Sequence, residues 1–254
     1  MNAYIVETLY SIILYMRITT FNILADEFVE PNKKFMDKWY PTIKYKDLKM
    51  KSRFHTILKY IKGDIILLQE VTSRVRQQLF AKFGNTYIVL PLSSHKTGTG
   101  NLTLVRRNLF KNVTHKTFYV GELAVGLTET DEIDIYNVHL DDISEAAREH
   151  ELEQIIATFD LDKKIIIGGD FNTDNKTLHN RLKRMKFEPV TVPEPNGTYI
   201  CEKPMIDYIY VYGFSGSVGR VNNSVSKSNC YRRTIKKYGS DHYPVTVRTR
   251  KMRQ

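Results

Sequence analysis

Six short segments of the chain each combine a run of apolar residues with side chains that can bind a metal or transfer a proton. The polar residues of these segments are Asn22, Glu70, His139, Asp170, Asn172, Asp207, Asp241 and His242. Four are carboxylates, two are amides, two are imidazoles, and none is a cysteine. Such an oxygen-rich set suits Mg²⁺ or Mn²⁺ better than Zn²⁺, and Mg²⁺ leaves coordination positions for substrate phosphate oxygens. The residue types therefore predict a magnesium or manganese site that is open to a phosphate group.

The most specific of these segments is KIIIGGDFNTD at residues 164–174. Its isoleucines predict a buried strand, Gly168 and Gly169 predict a turn close to the substrate, and Asp170 with Asn172 follow directly. Asp207 lies within an apolar strand, where a carboxylate needs a partner or a metal. Taken singly, most of the segments also have ordinary explanations: a solvated turn for Glu70, or a hydrogen-bonded core histidine for His139. Their occurrence together favours an active site over coincidence.

The elements that must position these residues are short strands alternating with amphipathic helices. Strands are predicted at 17–24, 64–69, 86–90, 101–105, 132–140, 164–169, 205–212 and 243–248, and helices at 47–62, 144–159 and 177–187. Strand ends are where α/β folds gather functional side chains. No linker or repeat divides the chain. We therefore predict a single α/β domain at 17–254, with two facing sheets and helices outside, preceded by an N-terminal extension at 1–16.

The overall charge indicates a polyanionic partner. The chain has 254 residues, with 38 lysines and arginines against 28 acids, which gives a net charge of +10. Its two cysteines exclude a disulfide framework, so an intracellular protein is expected, with the cytoplasm favoured over the nucleus. The apolar segment 1–16 lacks the features of a signal peptide and is too short to span a membrane. We expect a protein that binds nucleic acid, does not bind membranes and is monomeric.

Two basic segments are candidate substrate contacts. The first, residues 30–53, places Trp39 and Tyr40 among lysines, a combination that suits stacking on the bases of a single strand. The alternative interpretation is that Trp39 and Tyr40 pack under the loop instead of contacting a substrate. The second, residues 229–242, is predicted to be a basic loop next to the Asp-His segment. Its cations are Arg232, Arg233, Lys236 and Lys237.

The ordered segments resemble those of one known family. FNI (21–23), LQEV (68–71), NVHL (137–140), GDFN (169–172), IDYIYV (206–211) and SDHYPV (240–245) match its motifs in order and spacing over residues 17–248. The chain is thus similar to the endonuclease/exonuclease/phosphatase superfamily, the metal-dependent phosphodiesterases of the DNase I type. This resemblance implies a two-sheet sandwich flanked by helices, with the four layers α/β/β/α.

The resemblance also implies a metal site. The glutamate of LQEV binds the catalytic metal in this family, which corresponds to Glu70 here. Asn22 and Asp241 are expected to lie beside it, and the implied cofactor is Mg²⁺ or Mn²⁺.

The remaining motif residues have implied roles in catalysis. Asp170 and Asn172 would contact the water nucleophile and the phosphate. His139 would donate to a phosphate oxygen or the leaving group. Asp207 would fix the tautomer of His242, and either Asp170 or His242 could take the proton of the water.

The first motif gives a hint about the substrate class. FNILAD at 21–26 is similar to the opening motif of nocturnin- and angel-type deadenylases and 2′-phosphodiesterases. The leading prediction is therefore a 3′–5′ exoribonuclease of the deadenylase type acting on single-stranded RNA. A DNA-directed endonuclease, exonuclease or tyrosyl–DNA-type repair phosphodiesterase is the alternative. A catalytically inactive module that binds nucleic acid is the third reading.

Overall fold

The strands form two facing sheets in the computed structural model, which describes residues 14–94, 98–190, 198–199, 205–214, 217–221 and 230–251. In chain order the strands are β1 (Leu14–Asn22), β2 (Ile65–Thr72), β3 (Tyr87–Val89), β4 (Ser93–Ser94), β5 (Thr99–Arg106), β6 (Val113–Val120), β7 (Leu123–Thr130), β8 (Ile133–His139), β9 (Lys164–Asp170), β10 (Glu188–Pro189), β11 (Asp207–Tyr212), β12 (Ser217–Val221) and β13 (Val245–Lys251). The first sheet has the order β12-β13-β1-β2-β5-β3, with β4 paired to β5, and the second has the order β10-β11-β9-β8-β7-β6.

Helices cover the outer faces of both sheets. They are α1 (Lys33–Trp39), α2 (Tyr45–Leu48), α3 (Met50–Leu58), α4 (Ser73–Phe83), α5 (Glu145–Ile156), α6 (Lys176–Arg184) and α7 (Cys230–Tyr238), with a 3₁₀ turn at Asp26–Phe28. The α5 and α6 helices pack on the second sheet, whereas α3, α4 and α7 contribute apolar residues to the core that includes the first sheet. The predicted two-sheet sandwich flanked by helices is thereby confirmed. None of the helices in the described ranges is long and apolar enough to cross a membrane.

The apolar run of β9 is continuous because both faces of the strand are buried. Ile166 contacts the core between the sheets, and Ile165 and Ile167 contact the core against α5 and α6. The two glycines lie inside β9 rather than in a turn near the substrate, which corrects the prediction. A Cβ on Gly169 would lie 1.8 Å from the carbonyl oxygen of Val138 on β8, so the neighbouring strand excludes any side chain there.

Parallel pairing sets the position of the site. β1 runs parallel to β2, and β8 runs parallel to β9. Each pair is joined by a connection that contains helices, α1 to α3 in the first sheet and α5 in the second. The carboxyl ends of the two strands in each pair therefore lie at the same edge of their sheet.

Several elements differ from the sequence prediction. The helix predicted at 47–62 is divided into α2 and α3 at Lys49, whose ψ of 137° is extended. The hairpin of β6 and β7 and the helix α4 were not predicted. The predicted extension at 1–16 contributes residues 14–16 to β1, and its residues 1–13 lie outside the described ranges.

The basic segment at 229–242 is mostly helix, not a loop. Within α7, Thr234, Ile235 and Tyr238 are buried, and they recur at the three- and four-residue spacing of one helical face. The charged residues between them had obscured this pattern in the sequence.

Candidate active site

The predicted polar residues meet at one end of the sandwich. In the second sheet, His139, Asp170 and Asp207 lie side by side, because β8 pairs His139 with Asp170 and β11 pairs Asp207 with Asp170. In the first sheet, Asn22 and Glu70 lie near the ends of the parallel strands β1 and β2. The packing of the two sheets brings both groups into contact.

Asp170 lies where the two groups join. Its Oδ2 accepts a hydrogen bond from Nδ2 of Asn22 at 3.0 Å. The same oxygen lies 3.6 Å from Nε2 of His139 and 3.5 Å from Nε2 of His242. Its Oδ1 accepts the backbone N–H of Asn172 at 2.9 Å. An amide and two imidazoles from three separate segments therefore converge on one buried carboxylate.

Asp207 and His242 form a buried pair. Nδ1 of His242 donates to Oδ2 of Asp207 at 2.9 Å, and the hydroxyl of Thr198 accepts the backbone N–H of Asp207. Burial raises the pKa of Asp207 to about 6, against the opposing charge of His242. Burial alone would lower the pKa of His242, but the charges of Asp207 and Asp170 hold that pKa well above its ordinary value. At neutral pH the pair is therefore an imidazolium beside a carboxylate.

Glu70 projects from an irregular position in β2. The pairing with β5 shifts register between Leu68 and Val71, and Glu70 has a φ of 58°. Its carboxylate accepts hydrogen bonds from Nδ2 of Asn22 and from the backbone N–H of Ala25, both at 2.8 Å. Burial raises the pKa of Glu70, and the nearby charge of Asp241 raises it further.

Asp241 accepts a hydrogen bond from a buried tyrosine and lies beside a serine hydroxyl. The hydroxyl of Tyr40 donates to its Oδ2 at 2.9 Å, and the hydroxyl of Ser240 lies 3.3 Å from its Oδ1. Ser240 also donates to the backbone carbonyl of Asn22 at 2.7 Å, which joins the Asp-His segment to the end of β1.

Backbone strain is concentrated at this site. Among the described residues, the non-glycine positions with positive φ include Leu24 at 55°, Glu70 at 58° and Asn172 at 52°. Each costs conformational energy that the surrounding structure must offset, and such positions cluster at functional sites. All three belong to the site segments or adjoin them, whereas the other two described residues of this kind, Asn108 and Lys186, lie elsewhere, so three of the five strained positions coincide with the site.

The geometry matches a family whose sequence model covers most of the chain. The model of the "Endonuclease/Exonuclease/phosphatase family" matches residues 19–242, a range that includes all the predicted catalytic and metal-binding residues from Asn22 to His242. The chain belongs to the endonuclease/exonuclease/phosphatase family. The family resemblance predicted from the motifs is thereby confirmed. Members of this family are hydrolases that act on phosphodiester bonds.

Solved structures of endonuclease/exonuclease/phosphatase proteins share the fold at low sequence identity. ANGEL2, described as a 2′,3′-cyclic phosphatase, superposes with a TM-score of 0.71 at 15% identity, covering 94% of this chain and 95% of that one. The human nocturnin catalytic domain superposes with a TM-score of 0.65 at 16% identity, covering 92% of this chain and 93% of that one. Truncated TDP2 from Caenorhabditis elegans superposes with a TM-score of 0.63 at 16% identity, covering 93% of this chain and 98% of that one. None of the curated proteins matches the chain significantly in sequence.

Two groups of acids at this family site are candidates for a divalent cation. Ligand atoms of Asp170, Asp207 and His242 lie within 4.8 Å of one another. That cluster already contains a neutralising imidazolium, whose Nδ1 is hydrogen-bonded to Asp207. Glu70 and Asp241 instead repel each other, and among the described residues no cationic side chain forms a direct ion pair with either one. Carboxylate oxygens of this kind fit a hard divalent cation.

The two asparagines present their amide groups differently. Oδ1 of Asn22 accepts the backbone N–H of Leu24, so its NH₂ group faces Glu70 and Asp170 and orients both carboxylates. Nδ2 of Asn172 donates to the carbonyl oxygen of Leu140 at 2.8 Å. Direct metal binding by Asn22 and phosphate contact by Asn172 remain predictions.

The predicted substrate contacts divide into buried and exposed residues. Tyr40 is only 4% exposed and donates to Asp241, so a nucleic-acid base has no access to its ring, and its role is to position Asp241. Trp39 is partly exposed, with Nζ of Lys38 4.3 Å from its ring centroid. On α7, Arg232, Arg233 and Lys236 are exposed, and Lys237 lies over the ring of Tyr238.

Arg53 is a functionally placed residue to which the sequence analysis assigned no role. Its side chain is 2% exposed, and its guanidinium donates to the backbone carbonyls of Ile23, Leu24, Leu48 and Gly239. These carbonyls adjoin the end of β1 and the segment that holds Asp241. The only sequence signal was an arginine on the face of α3 next to its apolar residues, which is not distinctive by itself.

Proposed function

We propose that the chain is a Mg²⁺-dependent phosphodiester hydrolase that acts on nucleic acid, and specifically a 3′–5′ exoribonuclease of the deadenylase type on single-stranded RNA. The observation that supports hydrolysis is the meeting of Asp170 with both imidazoles beside the acid pair of Glu70 and Asp241. This set contains neither a cysteine nor a serine nucleophile. Direct attack by water is the reaction that such residues serve.

Glu70 and Asp241 are the side chains that would hold the cation, and Asn22 and Tyr40 orient them. When bound, Mg²⁺ supplies electrostatic stabilisation of the negative charge that develops on the phosphoryl oxygens. Mn²⁺ has similar ligand preferences and is expected to substitute.

The protein's own residues provide the proton transfers. Asp170 is the acceptor for the proton of the attacking water, because its Oδ2 is aligned by Asn22 and lies between the two imidazoles. His242, held as an imidazolium by Asp207, stabilises the negative charge of the phosphoryl group. His139 has a side chain that is 26% exposed and is therefore available to donate to a substrate oxygen.

The preference for RNA is supported by the FNILAD motif at 21–26, the part of the sequence most similar to the deadenylase branch. The net charge of +10 favours a polyanion of either kind, RNA or DNA. Solved structures of nocturnin and ANGEL2 share the fold. TDP2 shares it to a similar extent, which is the observation that keeps a DNA-directed repair phosphodiesterase as the second candidate.

The experiment compares end-labelled oligo(A) RNA, mixed-sequence RNA, 2′–5′ oligoadenylate, RNA ending in a 2′,3′-cyclic phosphate, and DNA, each with Mg²⁺ or Mn²⁺. A ladder of products shortened from the 3′ end on RNA alone is the expected result. Cleavage of DNA alone would replace the leading proposal with the second candidate. Absence of cleavage on all substrates, with binding retained, would leave only a nucleic-acid-binding role.

A further inference from the structure

A cationic cavity of about 420 Å³ lies between the α2–α3 segment and α7, outside the catalytic residues. Its polar lining includes Lys44, Asp47, Ser52, Thr56, Arg232 and Lys236. The volume falls in the range of about 300–1,000 Å³ that is usual for small-molecule sites. One nucleotide unit of a strand can therefore fit in it.

The charge of this cavity is mainly positive. Arg232 and Lys236 are one helical turn apart on α7, so both side chains face the cavity, and Lys44 approaches from the start of α2. Asp47 is the single acid in its lining. In the described part of the chain, none of the three cations forms an ion pair. Their charge is available to a ligand.

The cavity adjoins the catalytic centre. Arg53 lines it and also binds the carbonyls of Ile23 and Leu24, next to the end of β1. Ile235 lines it as well and belongs to the same apolar cluster as Tyr40, whose hydroxyl binds Asp241. Two lining residues of the cavity therefore also contact the groups that surround the acids that would hold the metal.

The lining combines groups that recognise different parts of a nucleotide. The cations suit a phosphate, and the hydroxyl of Thr56 can donate to a phosphate or sugar oxygen. The hydroxyl of Ser52 donates to the carbonyl of Lys46, so it can accept a hydrogen bond from a sugar hydroxyl, and the side chains of Ile43 and Ile235 offer an apolar surface. We propose that this cavity is a binding subsite for a nucleotide of the substrate strand that flanks the scissile bond. The proposal rests on the proposed function and adds that the substrate is a strand extending beyond the reacting nucleotide.

The test is direct binding, which does not depend on turnover. Fluorescence anisotropy measures the Kd of a fluorescein-labelled 12-nucleotide oligo(A) RNA in EDTA at KCl concentrations from 50 to 200 mM. The variant is R232A/K236A. The matched control is R107A/K111A, which removes the same charges from exposed positions after β5, at the opposite end of the sheet.

The variant is expected to bind at least about tenfold more weakly than the control at 50 mM KCl, and its plot of log Kd against log salt should flatten by about 0.7 for each phosphate group that the two side chains no longer neutralise. Circular dichroism melting confirms that both variants fold. For a dinucleotide, the difference between variant and control should be smaller than for the 12-nucleotide strand.

Equal Kd values and equal salt slopes for variant and control would overturn the proposal. If the wild-type protein cleaves RNA but the variant binds like the control, the subsite is wrong and the hydrolase assignment stands. If the wild-type protein cleaves no phosphodiester but the variant binds RNA more weakly as described, the hydrolase assignment fails and the cavity stands as a binding site for an RNA strand.

Discussion

Replacing Arg53 with methionine should lower the free energy of unfolding by about 4 kcal/mol. The guanidinium donates to the carbonyls of Ile23, Leu24, Leu48 and Gly239 from a position that is 2% exposed. Each buried carbonyl left without a donor costs about 1–3 kcal/mol. A cost near the lower limit of this range, about 1 kcal/mol, is expected at each carbonyl for two reasons. The neighbouring cavity admits water, and removal of the buried charge recovers part of the free energy spent on desolvating it.

This decrease corresponds to a measurable change in melting temperature. The entropy of unfolding is about 2.1 cal/mol/K per residue, so for the chain of 254 residues a decrease of about 4 kcal/mol lowers Tm by about 7.5 °C. Turnover should also fall, because the carbonyls that Arg53 binds adjoin Asn22 and the segment of Asp241. Arg53→Lys should show an intermediate Tm, since one ammonium reaches fewer carbonyls than a guanidinium does.

The assay is differential scanning calorimetry with steady-state kinetics on the same preparations. Lys51→Met is the control, because Lys51 is exposed on the same helix and its replacement should change stability by less than about 0.5 kcal/mol. A Tm for Arg53→Met within about 2 °C of the wild type, with unchanged turnover, would refute the structural role assigned to Arg53.

Three further predictions test other parts of the structure. Tyr40→Phe removes the donor to Asp241 and should weaken Mg²⁺ activation about tenfold or more, measured by Mg²⁺ titration of turnover; an unchanged titration curve would contradict the positioning role. Gly169→Ala places a Cβ 1.8 Å from the carbonyl oxygen of Val138 and should cost more than about 3 kcal/mol in urea denaturation, whereas wild-type stability would show that the strands can separate freely. Burial lowers the pKa of His179, so the folded state stays neutral while the unfolded chain takes up a proton near pH 6.5, and stability falls as the pH drops below that value by up to about 1.4 kcal/mol per unit. His179→Phe should reduce this slope between about pH 6.5 and 5.5, and an identical slope would exclude the histidine as its source.

The sequence predicted the strand ends well because two local signals coincide there. An apolar run such as that of β9 indicates a strand, and a polar residue directly after it, such as Asp170, can be placed without knowing the rest of the fold. Parallel pairing then brings such ends together, so His139 and Asp170 could be expected to meet. These inferences need only the spacing at which apolar residues recur along the sequence and the direction in which the strands run.

The parts that could not be predicted depend on contacts distant in sequence. Arg53 bonds to the carbonyl of Gly239, 186 residues away, and Tyr40 bonds to Asp241, 201 residues away. No local pattern distinguishes these side chains from solvated or stacking residues. The β6–β7 hairpin was missed because β6, at the edge of its sheet, alternates exposed and partly buried residues and contains polar residues such as His115 and Lys116.

The central claim is that Glu70 holds the cation for phosphodiester hydrolysis. The most direct measurement is the single-turnover rate of oligo(A) RNA cleavage across a Mg²⁺ titration for the wild type, Glu70→Gln and the control Glu188→Gln, an exposed residue of β10. We predict that EDTA abolishes wild-type cleavage, that Glu70→Gln cleaves at least about 10²-fold more slowly at saturating Mg²⁺, and that Glu188→Gln matches the wild type. Cleavage by the wild type in EDTA, or a wild-type rate and Mg²⁺ dependence for Glu70→Gln, would contradict the claim.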